Sequence, residues 1–138
     1  MVKKAVRCLD FGIFPGYVSL VYNYKHKELV KAYKDLKADL WLAGIEDDHK
    51  DIDSGDWMAL AREVVNSKTG KKTKLYYIII PEEFKFTDND YAKLAHEVLH
   101  ICQFYLPGVL NRNKEHEAEA YLHTHLMQQC LKTFRTVC

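Results

Sequence analysis

The sequence predicts an α+β domain in which a small antiparallel or mixed sheet carries an N-terminal helix and, at its C-terminal end, two helices joined by a short turn. Three observations predict it. Strand-like patterns are confined to 17–24 and 57–80, helical periodicity fills the last third, and no repeat, linker or low-complexity stretch divides the chain. A chain of 138 residues is long enough for one hydrophobic core and too short for a second lobe, so 1–138 is read as one domain.

The elements follow in order. Residues 1–7 are basic but precede no apolar run with a small-residue cleavage site, so no signal peptide is expected. Residues 17–24 alternate and are rich in β-formers, which predicts a strand. Leu29, Val30, Tyr33, Leu36 and Leu40 form a helical stripe over 28–42, ending near Gly44. The acids of 47–56 lack calcium-loop spacing with a closing glutamate, so this segment is read as a solvated loop.

Residues 57–65 and 74–80 flank a turn at 67–73 whose lysines favour an exposed tip, which predicts a hairpin. Helix is the alternative for 57–65. The run 75–81 is nearly continuously apolar, as a strand covered on both faces would be. After the capping residues of 86–90, Tyr91, Leu94, Ala95, Val98, Leu99 and Cys102 recur at helical spacing to about Tyr105, where Leu106-Pro107-Gly108 stops them. A loop leads to a second helix over 114–127, built from strong helix formers.

Composition excludes several classes. A net charge of +1 leaves no electrostatic footprint for nucleic acid, and no apolar stretch approaches a membrane span. Cys8, Cys102, Cys130 and Cys138 show no close metal-ligand pairing. They are read as reduced thiols of a cytoplasmic protein, with a Cys102 to Cys130 bridge as the alternative.

One motif carries chemistry. His96-Glu97-Val98-Leu99-His100 is a His-Glu-x-x-His run inside the first C-terminal helix. At about 100° per residue, His96 and His100 share one face one turn apart and can reach a single metal ion. Glu97 lies beside them, where a carboxylate can act as a base without ligating. A catalytic zinc site needs a third protein ligand, and the second helix, folded back against the first, brings its acids towards the pair.

Here the sequence resembles the gluzincin zinc metallopeptidases, whose His-Glu-x-x-His helix is followed by a ligating glutamate on the next helix. In several such families that glutamate opens a Glu-x-x-Ala-Tyr run, which Glu117-Ala118-Glu119-Ala120-Tyr121 matches. The resemblance covers 88–127 tightly and implies Glu117 as third ligand, with Glu119 as its rival. It further implies a minimal zincin-like fold, Zn2+ as cofactor, and hydrolysis of a peptide or protein by a zinc-bound water that Glu97 activates. In such folds an antiparallel edge strand binds extended substrate, a place open to 57–65 or to the strand from Tyr17. Tyr121, His123 and His125 are available as oxyanion donors but are read as structural, none being assigned a catalytic role, and Gln103 shares the histidine face, where a surface amide is the alternative.

The competing reading is a non-enzymatic zinc-binding interaction module that keeps the fold and fills the open coordination position with His116, His123 or His125. A chance motif without metal is the third.

Overall fold

A computed structural model describes residues 3–108 and 115–137. Strand β1 (Ala5–Phe11) turns back into β2 (Phe14–Tyr22), and three helices follow: α1 (His26–Asp35), α2 (Asp39–Ile45) and α3 (His49–Asp53). Strands β3 (Met58–Val65) and β4 (Lys72–Ile80) come next, then α4 (Asp88–Tyr105), a 3-10 turn (Leu106–Gly108) and α5 (Glu115–Val137). The fold is therefore mixed α+β, with four strands and five α-helices among the described residues.

The sheet order is β1-β2-β4-β3. Both sequence-adjacent pairs are antiparallel, whereas β2 and β4 run parallel through Val18 to Tyr22 opposite Tyr76 to Ile80. Alternation along β4 explains why that segment reads as continuously apolar. Tyr76, Ile78 and Ile80 enter a core shared with α4 and α5, while Leu75, Tyr77 and Ile79 enter one shared with Leu29, Tyr33, Ile45 and Ile52 of α1 to α3. Both faces are thus covered, as a parallel junction requires.

The predicted hairpin is present. Its tip closes through Asn66, whose N–H donates to the Lys71 carbonyl at 2.8 Å and whose side chain accepts the Lys68 N–H at 2.9 Å. The 57–65 segment pairs as strand rather than helix, because opposite β4 its Met58, Leu60 and Val64 turn to one core and Ala59 and Ala61 to the other.

Other expectations need correction. Strand β1 overlaps the segment read only as a basic start and runs on to Phe11; exposed Arg7, set between buried Ala5 and Leu9, breaks the alternation that would have revealed it. The strand expected at 17–24 begins at Phe14 and is central, so it is no sheet edge. The single helix expected over 28–42 is two, because Lys37 takes a left-handed φ of 56°.

Gly44 does not end that segment. It is buried inside α2, where a Cβ would run into the Tyr77 hydroxyl, so packing rather than capping explains the glycine. The acidic segment carries a short helix, α3, which buries Ile52, and Asp53 accepts the His26 N–H at 2.8 Å at the start of α1. Helix α5 runs ten residues past Met127, with Cys130 and Phe134 continuing its core stripe. Cys102 and Cys130 are free thiols, not a bridge, and burial pushes each up to about 12. Among the described residues no helix is long and apolar enough to cross a membrane.

Candidate metal centre

The site is built on α4. Thr87 caps the helix, its Oγ1 accepting the Asp90 N–H at 3.2 Å, and the Asp90 carboxylate accepts the Lys85 N–H at 2.6 Å. Leu94, Val98, Ile101 and Cys102 then go into the core. Helical geometry consequently leaves His96 exposed and His100 half-buried on the other flank.

The two imidazoles converge. Nε2 of His100 lies 3.0 Å from Nε2 of His96, with ring centres 4.5 Å apart and planes at 87°. Oε1 of Glu97 is 3.9 Å from the His96 nitrogen, and the candidate ligand atoms of all three residues lie within 4.8 Å of one another. A tetrahedral zinc with Zn–N bonds of about 2.0–2.1 Å sets two imidazole nitrogens about 3.3 Å apart. The pair therefore needs only a slight opening to hold such an ion.

Glu97 is the buried member, 8% exposed. Burial pushes its carboxyl above the usual range, while His96, His100 and the Ala59 backbone pull it back. Ala59 belongs to β3, an edge of the sheet. With only alanine at 59 and 61 packed on this core, the edge strand and the helix can approach closely.

Helix α5 is tied to α4 by His123, whose Nε2–H donates to the Ala95 carbonyl at 3.0 Å. One turn earlier, half-buried Glu119 shares a 390 Å³ cleft with Leu99, His116 and His123, and its charge adds to the rise of the Cys102 thiol. Glu117 is exposed. Neither glutamate joins the converging group, and the loop at 109–114 that leads into α5 lies outside the described residues.

The other polar candidates have partners elsewhere. Tyr121 accepts the Ile13 N–H at 3.3 Å, and His125 bonds Asp10 at 2.7 Å. Gln103 is exposed, and Phe104 stacks on His100 with ring centres 6.0 Å apart.

Beside the histidines opens a 690 Å³ cleft lined by Asp56, Trp57, Glu82, Lys93, His96 and Glu97 among others. Spacing within the motif has no bearing on Ala59, Trp57 or Glu82, because the sheet brings them in from other elements. Trp57, ahead of an alanine-rich edge strand, was the available signal. Comparison with protein-family models, with curated proteins and with solved structures found no match.

Proposed function

We propose that this chain is a zinc-dependent metallopeptidase of minimal zincin-like architecture, hydrolysing peptide bonds. The observation that carries this reading is the convergence of two imidazole nitrogens at 3.0 Å beside a buried carboxylate that also touches the sheet edge. A bound zinc ion supplies Lewis acidity, polarising a carbonyl and acidifying a water molecule. His96 and His100 hold the ion as neutral ligands.

Glu97 accepts the proton of the attacking water and returns it to the leaving amine, serving as base and then acid. Its partial burial suits the first role, since a carboxylate whose pKa is pushed upward is a stronger base than an ordinary one. The free edge of β3 holds an extended peptide through main-chain hydrogen bonds.

A glutamate of α5 completes the ligand set. Support for Glu119 comes from its half-buried position facing α4, level with Leu99. Support for Glu117 comes from the Glu-x-x-Ala-Tyr resemblance; it lies about 200° around the helix from Glu119 and reaches the histidines only if the first turn of α5 rotates.

Elemental analysis of the wild type and five variants tests the proposal. The expected result is about one zinc per chain, kept in Glu97→Gln, lost in His96→Ala and His100→Ala, and weakened in one of Glu117→Ala and Glu119→Ala. Cleavage of a peptide library by wild type and not by Glu97→Gln completes it. Zinc uptake indifferent to both histidines overturns the site. Zinc held with a closed coordination shell and no cleavage selects the non-enzymatic module instead.

A further inference from the structure

We infer that the cleft beside His96 is a subsite for a basic side chain of the peptide substrate; the inference rests on the peptidase reading above. The 690 Å³ cleft opens directly onto His96 and Glu97, so a side chain seated in it belongs to a residue close to the scissile bond. One wall is the indole of Trp57, packed on Phe84 with ring centres 6.0 Å apart. Trp57 Nε1–H donates to Oε1 of Glu82 at 2.9 Å, which fixes both the ring and the carboxylate.

The chain's own Lys93 displays the chemistry such a site offers. Its Nζ lies 5.3 Å from the centre of the Trp57 ring and 3.7 Å from Oε1 of Glu82, an alkylammonium lying over an aromatic face with a carboxylate at its tip. At 43% exposure that lysine is free to swing into solvent. Asp56 adds a second carboxylate to the lining, and among the described residues no cation pairs with it. Glu97 apart, two carboxylates thus face one ammonium. An incoming lysine or arginine finds an aromatic platform and a surplus negative charge, whereas an incoming acid meets both carboxylates and a lysine already held.

The test uses zinc-loaded Glu97→Gln and fluorescein-labelled alanine-based hexapeptides carrying one Lys, Ala or Glu at each inner position in turn, read by fluorescence anisotropy. The best Lys peptide is expected to bind roughly tenfold tighter than its Ala counterpart, with the Glu peptide weakest. Asp56→Asn combined with Glu82→Gln erases the difference, and Lys93→Met tightens the Lys peptide by removing its competitor.

Equal binding of the three peptides, binding of none, or tightest binding of the Glu peptide overturns the subsite. Repeating the titration on metal-free wild type separates the two readings. A charge preference that survives without zinc supports the subsite whatever becomes of the peptidase, and zinc uptake without a charge preference overturns the subsite alone.

Discussion

Glu97 of α4 faces the Ala59 backbone of β3, which draws the buried carboxyl downward, so the acid and the open edge of the sheet are electrostatically coupled. That pull offsets only part of the burial that holds this carboxyl above its usual range.

A pH dependence follows from that rise. A carboxyl whose folded pKa exceeds its unfolded one stabilises fully below the unfolded value, about 4.3, and loses that contribution as pH rises through the folded value. Metal-free Glu97→Gln should therefore exceed metal-free wild type in stability by about 1 kcal/mol at pH 7. The advantage should vanish near pH 4. Urea unfolding at both values checks it, and a variant less stable at pH 7 would contradict the assignment.

The edge strand is anchored from the opposite face. Arg62 of β3 donates from Nε to Asp48 Oδ2 at 3.0 Å and from Nη2 to Oδ1 at 2.8 Å, a two-pronged pair between β3 and the turn before α3. Because the arginine side chain is 36% exposed, water screens the pair. A double-mutant cycle with Asp48→Asn and Arg62→Gln should give a coupling of about 1 kcal/mol that shrinks with salt. Zero coupling at low salt would refute the anchor.

Inside the second core, Ser19 Oγ and the Tyr33 hydroxyl are 2.7 Å apart and buried. Burial drives the Tyr33 phenol far above its usual range. Ser19→Ala strands that hydroxyl and should cost about 2 kcal/mol. Adding Tyr33→Phe should recover part of the loss, an outcome read from midpoints of chemical denaturation.

Thiol labelling should divide the cysteines by burial. Cys8 is exposed, whereas Cys102 and Cys130 are buried with their thiols raised to about 12. Alkylation at pH 8 followed by mass spectrometry should mark Cys8 in the native state and reach the other two only in denaturant. Prompt native labelling of Cys130 would mean that α5 does not hold its place.

Legibility in the sequence tracks how local each determinant is. Helix α4 was read to within its cap, because Thr87, the apolar stripe and Leu106-Pro107-Gly108 are all encoded within it. The hairpin of β3 and β4 was equally plain from its turn. The break at Lys37 escaped because a left-handed residue without glycine leaves no compositional mark. Gly44 misled for a related reason, since its cause is the Tyr77 hydroxyl from a strand more than thirty residues away. At the site, the spacing of His96, Glu97 and His100 was visible from helical geometry alone. Which side of α5 faces α4 was not, because it depends on contacts such as His123 with Ala95 that only packing creates.

The parallel junction of β2 with β4 has a consequence for how the chain reaches this state. Each half of the sheet is a hairpin that forms from neighbours in sequence, on the order of 1–10 μs. Joining them brings Val18 beside Tyr76 across three intervening helices, so most of the loop-closure entropy falls on that one seam. Until it closes, each hairpin bares a mostly apolar edge, Val18 to Tyr22 on one and Tyr76 to Ile80 on the other. Self-association during refolding is thus concentrated at the very strands that end up most protected.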